Sequence, residues 1–327
     1  MVKVLALTLG DRYGVGAELA ARLPGRMTVP DGLRIVVVGD RRVLEQGRIV
    51  AEAHDALPAI GSFEEAVAPW SVLDRPFDAP MQPLGQVSSA AGREVLDTLG
   101  FLVDAARRRA IHGIVYAPLN KQAMRDAGHA AGDELDFFRQ HISAAATGEI
   151  NILGEVWTSR VTSHVPLRDV GDLITPANVM RSIGLLEKAL QLSGRVPKLA
   201  MAALNPHAGE GGAFGREEID VLTPTIAAAK AEGIDIAGPF PSDTVFPRAV
   251  RGTFNGVVTM FHDQGQIALK MVGLGQGITL LAGFPVPIAT PGHGTAYDIA
   301  GTGQAKADGL EAATRLVASM MGTPISV

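Results

Sequence analysis

Short apolar runs alternate with longer helical stretches along this chain of 327 residues. That alternation is typical of repeated βαβ units, whose strands join one parallel sheet. It predicts strands over 4–9, 34–38, 113–116, 160–163, 198–204 and 256–261, and helices over 89–110, 176–192, 216–231 and 308–320. The proline-rich stretch 68–86 is expected to be a crossing loop or a linker. The predicted fold class is therefore α/β, with a length that suggests about two domains.

The composition fits buried parallel sheets and excludes several kinds of partner. Hydrophobic residues make up 47% of the chain and aromatic residues 5%, so the interior should consist mainly of Ala, Val, Leu and Ile. A formal charge of −5 without a long Lys/Arg run leaves no basic surface for nucleic acid. Zero cysteines exclude disulfides and thiolate metal sites. No apolar run reaches the roughly 18 residues of a membrane span, and we expect a cytoplasmic protein.

Three histidines each follow an apolar run. His164 lies in TSHVP, His207 in LNPHAGE and His262 in FHDQG. If the three runs are strands of one parallel sheet, the imidazoles reach the edge where open α/β folds place their chemistry. One such histidine is more often a surface residue than a ligand, and their wide separations match no compact zinc motif. Three together favour a divalent metal, and neutral imidazoles suit Zn²⁺, Co²⁺ or Ni²⁺ better than Mg²⁺.

A glycine-rich run lies near the C-terminus. The segment 291–303, PGHGTAYDIAGTG, surrounds a histidine, a threonine and an aspartate with small residues and precedes a predicted helix. Backbone N–H groups in such a loop could wrap a nucleotide, although a plain connection is the alternative. The glycines of segment 10–16 have the wrong spacing for a G-x-G-x-x-G fingerprint, which disfavours a classical Rossmann cofactor site.

Several of these segments occur together in one known family. The motifs follow one another in this order: LGD and GVGAE near Leu9, APLNK from Ala117, HVPLRD from His164, NPHAGE from Asn205, DT at Asp243, HDQG from His262 and HGTA from His293. Over nearly its whole length the chain resembles the 4-hydroxythreonine-4-phosphate dehydrogenase family. The run 293–303 is also similar to the adenosine-binding loop of isopropylmalate dehydrogenases.

This resemblance implies an isocitrate/isopropylmalate-dehydrogenase-like fold, with two α/β/α domains, an active-site cleft between them and a homodimer with a shared metal site. We expect residues 1–125 and 275–327 to form the domain with the dinucleotide loop, and 126–274 the domain with the metal ligands and dimer contacts. The implied ligands are His164, His207 and His262, with zinc expected and cobalt, nickel, manganese or magnesium as alternatives. The implied oxidant is NAD, bound by His293, Gly294, Thr295, Ala296, Asp298 and Gly301.

The family reaction is the oxidation of 4-phosphooxy-threonine to 3-amino-2-oxopropyl phosphate in pyridoxine biosynthesis. A divalent cation makes a secondary hydroxyl more acidic, hydride then passes to the nicotinamide, and a carboxylate β to the new ketone can leave as CO₂. The resemblance makes Asp243, Asp263 and Lys121 candidate catalytic residues. Either aspartate could relay the hydroxyl proton, and Lys121 and Lys270 would hold an anionic substrate. Taken alone, Asp243 could be a helix cap, Asp263 could orient His262, and the lysines could be solvated surface residues.

The chain departs from the family pattern at the expected substrate pocket. The positions of a substrate-binding His and Thr carry Glu134 and Leu135, those of an Asn and an Arg carry Thr279 and Ile288, and Lys270 is unchanged. Relative to the family pattern, the pocket thus loses a cation at Ile288 and gains an anion at Glu134. A carboxylate about 4 Å from a phosphate would cost on the order of 4 kcal/mol at an effective dielectric near 20, or roughly a thousandfold in affinity. A phosphorylated hydroxythreonine should bind poorly unless Glu134 points away.

Three hypotheses follow. The first is the family reaction with a rearranged pocket. The second, slightly favoured by the pocket changes, is a dehydrogenase of an unphosphorylated hydroxy acid or a cis-dihydrodiol carboxylate. The third is a metal-binding protein without redox activity, against which the intact 293–303 loop argues. The sequence leaves the substrate, the metal and the choice between NAD and NADP open.

Overall fold

The computed structural model describes residues 2–79, 83–129, 133–273 and 277–325. The chain divides into two compact units: unit 1 comprises Met1–Ala144 and Phe284–Val327, and unit 2 comprises Ala145–Gly283. Each unit combines parallel strands with helices, which confirms the predicted α/β class. Within the described ranges, no helix is both long enough and apolar enough to cross a membrane.

The strands and helices are numbered in chain order. The strands are β1 (Lys3–Thr8), β2 (Leu33–Gly39), β3 (Ala59–Ile60), β4 (Trp70–Asp74), β5 (Gly113–Tyr116), β6 (Gly148–Leu153), β7 (Val156–Arg160), β8 (Leu199–Ala202), β9 (Ile236–Phe240), β10 (Gly256–Thr259), β11 (Ile278–Ala282) and β12 (Ile288–Pro291). The α-helices are α1 (Gly16–Arg22), α2 (Arg41–Val50), α3 (Ser89–Arg107), α4 (Lys121–Asp126), α5 (Glu134–His141), α6 (Val170–Leu173), α7 (Pro176–Leu192), α8 (Thr223–Ala231), α9 (Ser242–Val250), α10 (His262–Val272) and α11 (Asp308–Met320).

The sheet of unit 1 has the strand order β3-β4-β2-β1-β5-β12, and these neighbours pair in parallel. Its central strands are fully buried over Leu5–Leu7 and Ile35–Val38, as expected for a parallel sheet covered on both faces. The prediction of a continuous loop over 68–86 is wrong at β4. Trp70, Val72 and Leu73 are buried there, because a run of apolar residues with high strand propensity outweighs the flanking prolines. Residues 80–82 of that stretch lie outside the described residues.

The sheet of unit 2 has the order β11-β6-β7-β10-β8-β9. Strands β7, β10, β8 and β9 are parallel neighbours, whereas β6 runs antiparallel to both β7 and β11. The strands that precede the three histidines therefore do belong to one parallel set, as the sequence predicts, although the first of them spans Val156–Arg160 and not the predicted 160–163. The antiparallel β6 was not predicted from the sequence.

The helix expected over 216–231 is irregular in its first half. A π-helical turn over Glu218–Leu222 precedes α8. Pro224 lies in the first turn of α8 and lacks the backbone N–H that a continuous α-helix would need. The prediction for α7 is confirmed to the residue: the Thr175 side chain accepts a hydrogen bond from the Asn178 backbone N–H at 3.3 Å, and Pro176 occupies the first turn.

Candidate functional site

The carboxyl ends of three neighbouring parallel strands in unit 2 carry the predicted histidines. His164 follows β7, His207 follows β8, and His262 begins α10 directly after β10. Since β10 pairs with both β7 and β8, the three segments leave the sheet at the same edge. This is where open α/β sheets bind ligands.

The His164 and His262 imidazoles lie side by side, with ring centroids 5.7 Å apart. His262 Nδ1 is 2.7 Å from Asp263 Oδ1. An ionised carboxylate only accepts hydrogen bonds, so Nδ1 is the donor in this pair, and the neutral imidazole of that tautomer has its lone pair on Nε2. Asp263 therefore orients His262 in the way that carboxylates orient metal-binding histidines.

His207 lies in a left-handed stretch of backbone. The φ angles of His207, Ala208 and Glu210 are +52°, +56° and +44°, which costs on the order of 1 kcal/mol for each non-glycine residue. Glu218 stabilises the segment just before this stretch, because Glu218 Oε1 accepts the backbone N–H groups of Leu204 and Asn205 at 2.9 and 2.8 Å. Strain of this kind persists where the surrounding structure imposes it, and it is concentrated at functional sites.

An open depression of about 600 Å³ adjoins His207 in unit 2. Its lining includes the predicted residues Asp243 and Asp263, both exposed. It also includes Gln264, which sequence reasoning missed. The Gln264 amide donates to the Ala203 carbonyl at 2.8 Å and to Ser242 Oγ at 2.7 Å, and its oxygen accepts the Met260 backbone N–H at 2.6 Å. Gln264 thus joins the ends of β8 and β10 to the start of α9. Its place in the HDQG motif was the available signal.

One chain brings only two of the three predicted histidines together. His164 and His262 are adjacent, and His207 lies beside the depression with Asp243 and Asp263. Across the described residues, no group of three or more His, Cys, Asp or Glu side chains is positioned to hold one ion. The donor types suit a borderline metal such as Zn²⁺. Two adjacent imidazoles fit such an ion, and completion of the site requires a further ligand.

In unit 1, the predicted residues Lys121 and Glu134 form an ion pair, with Lys121 Nζ 3.6 Å from Glu134 Oε2. The Lys121 side chain is 47% exposed and that of Glu134 is 14% exposed. Lys121 begins α4 after Asn120, whose side chain accepts the Ala123 backbone N–H at 2.9 Å. Glu134 begins α5 in the same way after Asp133. The negative charge of Glu134 is therefore partly neutralised.

The other predicted substrate residues are in different surroundings. Leu135 is buried in α5, and Ile288 is fully buried where β12 pairs with β5. Thr279 is partly exposed on β11 and accepts a hydrogen bond from Asn151 Nδ2 at 3.1 Å. Lys270 is exposed on α10.

Hydrogen bonds to the segment 11–18 hold the glycine-rich loop within unit 1. The Val15 backbone N–H donates to the Thr295 carbonyl at 3.1 Å, Tyr297 Oη donates to Asp11 Oδ2 at 2.8 Å, and the Gly301 N–H donates to Glu18 Oε1 at 3.4 Å. Burial raises the pKa of both the Asp11 and the Glu18 carboxyl groups. Gly294 and Asp298 are exposed, and His293 and Ala296 are partly exposed. A fixed loop with an open, small-residue surface fits the adenosine part of a dinucleotide.

The comparison with known sequences decides the family. The family model described as "Pyridoxal phosphate biosynthetic protein PdxA" matches residues 31–317. The chain belongs to the PdxA family. The 4-hydroxythreonine-4-phosphate dehydrogenase of Beijerinckia indica is 39% identical over 314 residues, covering 94% of this chain and 92% of that protein. The D-threonate 4-phosphate dehydrogenase of Bordetella bronchiseptica is 36% identical over 335 residues, covering 98% and 93%.

Solved structures agree with this PdxA membership and with the isocitrate dehydrogenase-like fold. The 4-hydroxythreonine-4-phosphate dehydrogenase of Klebsiella pneumoniae aligns with a TM-score of 0.82 and 31% identity, over 98% of this chain and 99% of that one. A terephthalate 1,2-cis-dihydrodiol dehydrogenase of Burkholderia xenovorans aligns more distantly, with a TM-score of 0.69 and 26% identity over the full length of both.

PdxA membership makes this chain an oxidoreductase that acts on CH–OH groups. It also removes the slight preference for an unphosphorylated substrate, because the relatives at 36–39% identity are named for phosphorylated substrates. That preference depended on repulsion between Glu134 and a phosphate. The ion pair with Lys121 weakens this repulsion.

A buried charged cluster in unit 1 of this PdxA protein was not predicted. Arg12 lies 3.2 Å from Asp40 Oδ2 and 3.3 Å from Glu94 Oε2, and all three residues are buried. Burial raises the pKa of Glu94 to about 7, although Arg12 opposes the rise. Burial also acts to raise the pKa of Asp40, but hydrogen bonds from Arg42 outweigh it and keep that pKa below its ordinary value. No spacing rule connects these positions, which is why sequence reasoning did not find them.

Proposed function

We propose that this PdxA protein is an NAD- and divalent-metal-dependent dehydrogenase that oxidises the secondary hydroxyl of a phosphorylated hydroxy acid and releases CO₂ from the keto acid. The substrate class is that of 4-hydroxythreonine 4-phosphate and D-threonate 4-phosphate. The observation that carries the proposal is the pairing of His164 with His262 at the strand edge that also presents His207. The names of the relatives support the substrate class.

In this proposal His164, His207 and His262 hold the metal, and a second copy of the chain completes each site. Exposed apolar side chains accompany the three histidines: Leu167 follows His164, Phe214 contacts the His207 ring, and Ile267 lies on the helix that His262 begins. Grouped exposed apolar residues mark interaction surfaces. In a two-fold homodimer such a surface meets its own copy, so ligands from two chains can meet.

The chain's own residues supply the remaining chemistry. The bound cation supplies positive charge that lowers the pKa of the reacting hydroxyl. Asp263 holds Nδ1 of His262 in its protonated form, and the exposed Asp243 accepts the hydroxyl proton. NAD held by the loop from His293 to Gly301 would supply the hydride acceptor for the reacting carbon, and a cation held by His164, His207 and His262 would stabilise the electron pair that a departing CO₂ would leave beside the new ketone.

Substrate and cofactor are held by charge and by backbone groups. In this proposal Lys121 and Lys270 attract the anionic substrate, Glu134 and Thr279 bind its polar groups, and Leu135 and Ile288 contribute apolar side chains. NAD binds the loop from His293 to Gly301, with Thr295 and Ala296 in its centre. The exposed Asp298 favours NAD over NADP, because a carboxylate accepts hydrogen bonds from ribose hydroxyls and repels a 2′-phosphate.

The test is NADH formation by the purified, metal-loaded protein. We expect turnover with 4-hydroxythreonine 4-phosphate or D-threonate 4-phosphate, loss of turnover with a chelator, and recovery when Zn²⁺, Co²⁺ or Mn²⁺ is added. Unphosphorylated D-threonate is the matched control and should react poorly. Equal turnover of D-threonate, or activity that persists after complete removal of metal, contradicts the proposal.

A further inference from the structure

A chain of hydrogen bonds crosses one face of the unit 2 sheet. Arg160 Nη1 donates to Asn151 Oδ1 at 2.9 Å, and Asn151 Nδ2 donates to Thr279 Oγ1 at 3.1 Å. Arg160 is also ion-paired with Glu149. The Arg160 and Glu149 side chains are only 8% and 12% exposed, whereas Thr279 at the other end is partly exposed.

The strand register places these groups on one face. Asn151 of β6 is the register partner of Thr279 on β11 and of Thr158 on β7. Thr158 and Arg160 are two residues apart and therefore point to the same face, as do Glu149 and Asn151. Helix α10 covers this face, because a Cβ on its Gly265 would lie 3.6 Å from Thr158 Oγ1. The network is thus built into the sheet under the helix that begins with His262.

Stability alone does not account for this network. Burial removes water from the Arg160 and Glu149 charges, and their mutual attraction only roughly offsets that cost. Replacement of a buried ion pair by apolar side chains of similar volume is often neutral or stabilising. A buried ion pair of this kind is better explained by the orientation that it imposes on its neighbours.

The guanidinium of Arg160 determines the direction of both hydrogen bonds in this network, from Arg160 to Asn151 and from Asn151 to Thr279. A guanidinium donates hydrogen bonds and accepts none, so the amide oxygen of Asn151 must face it. The amide NH₂ of Asn151 then faces Thr279 and donates to its oxygen. The Thr279 hydroxyl proton is left for a different acceptor, and no residue within the described ranges accepts it. Thr279 therefore presents a donor.

We propose that Arg160 and Asn151 are positioning residues that hold the Thr279 hydroxyl as a hydrogen-bond donor toward an oxyanion of the substrate. The oxyanion is the carboxylate or the phosphate group. This inference rests on the proposed function, in which position 279 contacts the substrate. It adds that Thr279 is the donor in that contact, and it names the two residues that determine this direction.

Three variants test whether Thr279 donates the hydrogen bond. Thr279→Val removes the hydroxyl at nearly constant shape, and Thr279→Ser keeps it. Asn151→Asp keeps an acceptor for Arg160, so the fold should persist, but its carboxylate also accepts the Thr279 proton and reverses the last hydrogen bond. We expect Thr279→Val and Asn151→Asp each to raise KM about tenfold, the effect of losing one hydrogen bond. Thr279→Ser should stay close to wild type, kcat should change little in all three, and thermal unfolding should show that they fold.

Calorimetric binding distinguishes failure of this inference from failure of the proposed function. The probes are D-threonate 4-phosphate and D-threonate. Weaker binding of both probes by Thr279→Val assigns the donor to the carboxylate, and weaker binding of the phosphorylated probe alone assigns it to the phosphate. Wild-type binding without turnover overturns the proposed reaction, while the variants still decide the polarity. Unchanged binding and KM in both Thr279→Val and Asn151→Asp overturns the inference, and absence of wild-type binding to either probe overturns both.

Discussion

Substitution of Glu134 by Gln should improve binding of a phosphorylated substrate. Glu134 lies 3.6 Å from Lys121, the lysine expected to attract the substrate anion. In the wild type this carboxylate both occupies Lys121 and repels a phosphate. Gln keeps the size and hydrogen-bonding ability of the side chain and removes its charge, so Lys121 becomes available to the substrate.

The distance between Lys121 and Glu134 and the exposure of the Lys121 side chain bound the size of the change in KM. Two unit charges 3.6 Å apart interact by about 5 kcal/mol at an effective dielectric of 20 and by about 1 kcal/mol in bulk water. The Lys121 side chain is 47% exposed, so solvent screens the pair and the lower end of this range applies. Removal of the Glu134 charge should therefore lower KM for D-threonate 4-phosphate about tenfold, equivalent to about 1.4 kcal/mol.

Steady-state kinetics with the phosphorylated and unphosphorylated acids measure this effect. Only the KM for the phosphorylated acid should fall substantially. Asp136→Asn is the matched control, because Asp136 lies on the same helix and is ion-paired with Arg139 at 3.1 Å outside the proposed pocket. Lys121→Met should raise KM, and Glu134→Gln in that background should have a smaller effect. An unchanged or higher KM in Glu134→Gln, or an equal decrease in Asp136→Asn, refutes the reasoning.

Three further predictions concern stability, cofactor choice and assembly. Burial raises the pKa of Glu94 from its ordinary value of 4.5 to about 7 in the folded chain. Its stabilising contribution is therefore complete below about pH 4.5 and lost as pH rises through 7. The urea-unfolding free energy of wild type should fall relative to Glu94→Gln by about 3 kcal/mol across that range, and parallel pH profiles would contradict this. Asp298→Asn should raise kcat/KM with NADP relative to NAD, since it removes repulsion of the 2′-phosphate, and an unchanged ratio would argue against the assigned role. The double substitution Ile267→Lys and Met271→Lys changes two residues exposed on α10. It should convert the proposed dimer to a monomer in light scattering, and an unaltered molar mass would show that this surface is not the interface.

Local signals account for the features that the sequence predicted well. Thr175 and Pro176 define the start of α7, and Gly194 follows its end, so the helix could be bounded from nearby residues alone. The short apolar runs before His164, His207 and His262 predicted neighbouring parallel strands because buried strands of α/β sheets have this composition. Family motifs then identified the fold and the class of reaction.

Features that depend on distant contacts could not be predicted in this way. The backbone that leads into the left-handed stretch at His207 is held by Glu218, which belongs to an irregular turn later in the chain. The partners of Arg160 depend on the register of the antiparallel β6, which the expected parallel pattern did not include. The charge of Glu134 was predicted, but its neutralisation by Lys121 depends on how the starts of α4 and α5 are placed.

The central claim is that His164, His207 and His262 bind one cation in a site shared by two copies of the chain. The most direct measurement is the NADH-forming activity of mixed His207→Ala and His262→Ala proteins after subunit exchange, with differently tagged chains to prove that hybrid dimers form. In the shared site that we propose, His207 comes from one chain and His262 from the other. Each variant alone should be inactive, and the mixture should recover about a quarter of wild-type activity, because half of the dimers are hybrids with one intact site of two. Absence of recovery in proven hybrids, or full activity of either variant alone, would contradict the account.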